Sequence, residues 1–126
     1  MDVLAETLDR YPHLAVDTSA RLVDLAVQDA SKVRRFVTKH QDRILFGTDV
    51  VMHTLPSSLP LAERAQAIDA LRTVYTTHCA YFESKATVTV RGREVQGLGL
   101  PDSVLERLYG ANALRWRPGL APTHET

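Results

Sequence analysis

Apolar and polar positions along this chain fall into blocks whose period changes, and each change marks a new element. Over residues 2–11, Val3, Leu4, Leu8 and Tyr11 recur at helical spacing and Pro12 ends the run, which predicts a short first helix. Leu14-Ala15-Val16 is an apolar run that breaks into Asp17-Thr18-Ser19, the pattern of a strand entering a turn. Residues 20–28 show no clear period and are expected to be irregular. A second helix is predicted to start near Asp29 or Ser31. Val33, Phe36 and Val37 form its apolar stripe, and Lys39 and His40 suit its negative carboxyl end. Ile44-Leu45-Phe46 then reads as a buried strand that stops abruptly in Gly47-Thr48-Asp49. This order of helix, strand, helix and strand predicts a parallel βαβ unit.

After a loop over 50–58, Pro60 is suited to the first turn of a long helix ending near Glu83. Its predicted buried face is Leu61, Ala65, Ile68, Leu71, Tyr75, Cys79 and Phe82. Thr87–Val90 and Glu94–Gln96, joined by Arg91-Gly92-Arg93, read as a small hairpin. Gly97–Leu100 is expected to be a loop. Pro101 opens a last helix that Gly110 should stop, and Asn112 should cap one more turn reaching Trp116. Residues 121–126 read as a flexible tail.

Composition narrows the function classes. The 126 residues include 15 basic and 15 acidic side chains, a formal net charge of +0, with no basic stripe. Nucleic acid and anionic membranes are therefore not expected as partners. A single cysteine, Cys79, forms no internal disulfide, which fits a reducing compartment. No apolar run approaches the roughly 20 residues that span a bilayer. The first residues also lack the cationic start of a secretory signal, so a cytoplasmic location is expected.

Asp49 is the first site candidate, because chemistry in α/β folds gathers at the carboxyl ends of parallel strands. An acid in this position reads equally as a helix cap or turn carboxylate. His53 follows four residues later in a loop, as a second ligand, a substrate contact or an exposed side chain. Asp17 and Ser19 end the neighbouring strand; substrate binding is open to Asp17, but local hydrogen bonding to the turn is the commoner use of Asp-Thr-Ser. His78 and Cys79 are adjacent on a helix, about 100° apart, and do not form a catalytic pair. Cys79 reads as core, Glu83 as a structural salt bridge and Trp116 as a core or interface anchor.

Three blocks resemble one family. They are Tyr11 to Ser19, then Asp42-Arg43-Ile44-Leu45-Phe46-Gly47-Thr48-Asp49, and then Gly97 to Asp102 followed by Val104 to Tyr109 and Asn112 to Arg115. In this order they are similar to the closing part of metal-dependent amidohydrolases of the aminocarboxymuconate-semialdehyde decarboxylase-like branch. The resemblance implies an α/β fold, a partial (β/α)8 TIM barrel made of the last two βα units plus C-terminal helices over residues 1–120. It also implies that Asp49 is a metal ligand and catalytic base. Zinc is the expected metal, provided that the missing ligands are supplied; the family's His-x-His has no counterpart here. The implied function is a truncated or split hydrolase or decarboxylase acting on a small organic acid, amide or ester. Two strands leave sheet edges, so a homo-oligomer or association with the missing barrel portion is expected. Two further readings stand beside it: a non-catalytic barrel remnant serving as an interaction or structural module, and an unrelated small α/β binding domain.

Overall fold

The computed structural model describes residues 1–117 and 119; the expected tail 121–126, with His124, lies outside them. Helix α1 (Asp2–Arg10) ends before Pro12, and its core contribution is Leu8, which is fully buried. Val3 and Tyr11, placed on the same face by sequence, are exposed. Arg43 fastens α1 from outside, donating from Nη1 to the carbonyls of Leu8 and Tyr11. Strand β1 (Val16–Asp17) follows. The stretch after it contains a five-residue helix, α2 (Leu22–Ala26), where sequence predicts none. Its only signal is Leu22 and Ala26, four apart and both buried.

Helix α3 (Ala30–Lys39) starts as its sequence dictates. The Asp29 side chain accepts from the Lys32 amide at 2.8 Å, and Val33 and Val37 face the core. Strand β2 (Ile44–Leu45) then pairs with β1 in parallel, Val16 opposite Ile44 and Asp17 opposite Leu45. The long helix α4 (Leu61–Glu83) runs for 23 residues, but it is buried only near its end, at His78, Tyr81 and Phe82. Leu61, Ile68 and Tyr75 of the predicted face are exposed.

The hairpin β3 (Thr87–Val90) and β4 (Arg93–Gln96) is antiparallel. Its two-residue turn, Arg91-Gly92, has both φ angles positive, 47° and 76°, the geometry that matches strand twist. The next segment caps α4: amides of Leu98, Leu100 and Gly99 donate to carbonyls of Tyr81, Phe82 and Ser84 at 2.8–2.9 Å. Gly97 allows this approach, since a Cβ there would lie 2.3 Å from the Ser84 carbonyl oxygen.

The chain closes with α5 (Asp102–Glu106), a π turn (Arg107–Ala111) and α6 (Asn112–Trp116), continuous with one another. Gly110, expected to stop the helix, lies inside the π turn. That turn leaves the Leu108 carbonyl free to accept from the Phe46 amide at 3.0 Å, on the edge of β2 away from β1. Asn112, expected to cap the last turn, is instead buried at 2% exposure, and its amide donates to the carbonyls of Gln41 and Ile44. Trp116 Nε1 donates to the Asp42 carbonyl at 2.8 Å, and Arg107 pairs with the Asp42 carboxylate.

The partial barrel is therefore not found. The described residues form a small mixed α/β domain with two separate two-stranded sheets, one parallel and one antiparallel. The physical reason is the covered edge of β2: where a following strand would pair, the closing helix has taken the hydrogen bonds. Strands of two residues also carry too little of a ladder to curve into a barrel. No helix among the described residues is long and apolar enough to cross a membrane.

Two outcomes follow from this packing. Asn112→Ala leaves the Gln41 and Ile44 carbonyls without donors and should cost about 2–3 kcal/mol in urea unfolding. A cost below about 0.5 kcal/mol would mean that water replaces the amide. His40 is 2% exposed beside Phe36, and its pKa is lowered from 6.5 by burial and by Arg43 and Lys39, against the pull of Asp9. The unfolded chain thus binds a proton that the folded chain refuses. Stability present above pH 6.5 is lost as pH falls through the lower folded value. Urea midpoints at about pH 7.5 and about pH 5.5 should differ, and His40→Gln should reduce the difference.

Candidate functional site

The parallel pair brings the segments after β1 and β2 to one end of the domain. Thr18 locks them together: its hydroxyl donates to the Gly47 carbonyl at 2.9 Å and accepts from the Gly47 amide at 3.0 Å. This extends the pairing one step beyond the strands, through a side chain that is itself buried. A Cβ at Gly47 would lie 2.1 Å from the Ser19 hydroxyl, so a larger residue here requires the Ser19 side chain to turn away. Asp17 takes the turn role that its sequence favours, accepting from the Ser19 amide at 2.8 Å.

Both loops leaving the strands pass through left-handed backbone, at Ala20 and at Asp49, each with φ of 56°. For a residue other than glycine this costs about 1–2 kcal/mol, and such strain gathers at functional sites. Asp tolerates it better than most, which agrees with Asp49 as either a site residue or a turn residue. The Asp49 side chain stands exposed and is followed by the exposed Val50, Val51 and Met52. His53 is also exposed and faces a shallow apolar depression with Met52, Ala67, Leu71 and Val74. Asp17 borders a different groove, beside β1. The three sequence-derived candidates therefore reach the same end of the fold without converging on one cavity.

What does converge there is a cavity of about 300 Å³ between the strand ends, α4 and the hairpin. Ala20, Leu22 and Val23 form one wall, Thr48 another, and Val74, Thr77 and His78 of α4 a third; Val90 and Arg91 close it from the hairpin. His78 is 6% exposed. Its Nδ1 lies 2.8 Å from the Val74 carbonyl and donates to it, which fixes the ring. The ring also meets Phe46 edge-on at 6.0 Å between centroids. Phe46 is thus the shared neighbour of strand end and cavity, touching Tyr75, Phe82 and Tyr109 as well. Sequence reasoning missed His78 because its surroundings include three distant segments, and no spacing on α4 marks it out. Cys79 beside it is partly buried. Glu83, expected in a salt bridge, accepts from the Tyr109 hydroxyl at 2.9 Å.

The donor set does not fit a resident metal. Among the described residues no three His, Cys, Asp or Glu side chains come together. Asp49 and His53 are exposed singly, and the buried His78 has no acidic or thiol neighbour in its cavity. No protein-family model, curated protein or solved structure matches this chain.

If the backbone at Asp49 is strained, glycine should relieve it. Asp49→Gly should be at least as stable as the parent chain in thermal unfolding, while Asp49→Val should lose about 1–2 kcal/mol. A stabilising Asp49→Val would show that the left-handed geometry does not hold in solution.

Proposed function

We propose that this chain is an interaction module that extends its parallel sheet through the free edge of β1, with a second copy as the occupant. The carrying observation is an asymmetry between the two edges. On β2 the outward Phe46 amide and Ile44 carbonyl are taken by Leu108 and Asn112. On β1 the register turns Ala15 and Asp17 outward, and their amides and carbonyls have no partner among the described residues. An uncovered edge of this kind is a template for strand addition. Antiparallel pairing centred on Val16 would set Ala15 opposite Asp17 of the second copy, forming four hydrogen bonds without opposing like charges. Beside this edge a groove of about 410 Å³, lined by Met1, Leu4, Val16, Leu25 and Phe36, offers an apolar surface to the same neighbour. A net charge of +0 removes any overall repulsion between copies.

A second reading keeps the amidohydrolase resemblance. Here the partner is a different polypeptide that carries the metal ligands, and this chain brings Asp49 to a hydrolase or decarboxylase for a small organic acid, amide or ester. The observation favouring it is the exposed carboxylate of Asp49, held on left-handed backbone in the loop that leaves a parallel strand.

Sedimentation of the purified chain across a concentration range, with amide exchange at Ala15 and Asp17, tests the first reading. We expect a dimer, slowed exchange at both amides, and a folded monomer on Leu4→Lys, which places a charge in the groove. A monomer at every concentration with fast exchange at both residues would overturn it. Stoichiometric zinc that is lost in Asp49→Ala would favour the second reading instead.

A further inference from the structure

The cavity at the carboxyl end of the parallel pair has an interior lined by hydrogen-bond acceptors. The Thr77 hydroxyl donates to the Thr73 carbonyl at 2.8 Å, and the Thr73 hydroxyl donates to the Asp69 carbonyl at 2.9 Å. Both hydrogens are thus committed to the helix backbone, and lone pairs remain for a ligand. Nδ1 of His78 is committed in the same way to the Val74 carbonyl. In the neutral ring this leaves Nε2 with its lone pair, and it makes no other hydrogen bond among the described residues. The Thr48 hydroxyl rotates to suit either role. Arg91, the charged donor of the lining, sits on the exposed hairpin turn at the rim. The remaining walls are Leu22, Val23, Val74 and Val90.

The chemistry of the ligand follows by complementarity. A carboxylate or phosphate placed inside would set its charge against these lone pairs. An ammonium group would be desolvated with no acidic side chain in the lining to compensate it. A small, mostly apolar molecule satisfies the walls, and a single N–H or O–H satisfies Nε2. The volume stands at the lower end of the range for small-molecule pockets. We propose that this cavity binds a small neutral ring compound carrying one N–H or O–H donor, which hydrogen-bonds to Nε2 of His78. The site uses neither Asp49 nor the free edge of β1, so it stands or falls independently of the function proposed above.

Indole and 1-methylindole make the test, since the methyl group removes the donor and leaves the ring. Each is titrated into the whole chain and followed by amide NMR. We expect indole to shift the amides of Thr48, Thr77, His78 and Val90, and 1-methylindole to bind about five- to tenfold more weakly, the effect of one neutral hydrogen bond. In His78→Phe the two compounds should bind alike. Val23→Trp, a substitution at the partly exposed rim, should fill the cavity and abolish both. Equal binding of the two compounds by the parent chain would overturn the proposal, as would shifts confined to other residues or no binding of indole at millimolar concentration. Should His78→Phe fail to fold, the ratio of the two affinities in the parent chain, together with Val23→Trp, still decides the matter.

Discussion

β2 is the strand on which this fold turns, because both of its edges are engaged. β1 takes one edge. The other carries an amide at Phe46 and a carbonyl at Ile44, neither of which has a strand to meet. The closing helix supplies both partners by two different devices, a carbonyl freed by a π turn and the side-chain amide of a buried asparagine. Trp116 and Arg107 add contacts to Asp42, just before the strand. Burying Asn112 would be costly without these bonds, so side chain and strand edge satisfy each other.

Once β2 is fixed, the rest of the arrangement is positioned by it. Phe46 continues the strand into the aromatic contacts with Tyr75, His78, Phe82 and Tyr109, so the end of α4 is placed by the residue that also receives the Leu108 bond. The Thr18–Gly47 pair then sets the separation of the two loops that leave the strands. A cavity lined by α4 and the hairpin forms between them as a consequence of this geometry. At the opposite end of β2, Arg43 and His40 hold α1 in place, with Arg43 donating to His40 Nδ1 at 3.0 Å.

The elements legible in the sequence were those with local causes. Asp29 announces α3 by capping it, Pro12 ends α1, Arg91-Gly92 makes a tight turn, and Asp17 accepts from the Ser19 amide of its own loop. The parallel relation of β1 and β2 follows from the element between them. What could not be read depended on tertiary contact. Gly110 looks like a stop, yet the helix passes through it because the π turn is rewarded by the Phe46 amide. The apolar positions of α4 suggest burial along its length, but only its carboxyl end is buried. The partial barrel implied by the resemblance needs strands long enough to curve, and β1 and β2 are two residues each. Asp49 was legible as the residue following a strand, whereas His78 acquires its setting only from segments far away in the chain.

The closure of β2 by residues beyond position 106 also fixes when the domain can form. During synthesis β1, α3 and β2 leave the ribosome long before Leu108 and Asn112, and until then the outward groups of Phe46 and Ile44 have only water for partners. By contrast, α4 and its capping segment at Leu98–Leu100 are close in sequence, so that unit can assemble while the chain is still being made. The amino-terminal half therefore waits for the carboxyl-terminal one. The outer edge of β2 reaches its native hydrogen bonds only once Leu108 and Asn112 have been made, and until then it presents an open strand edge.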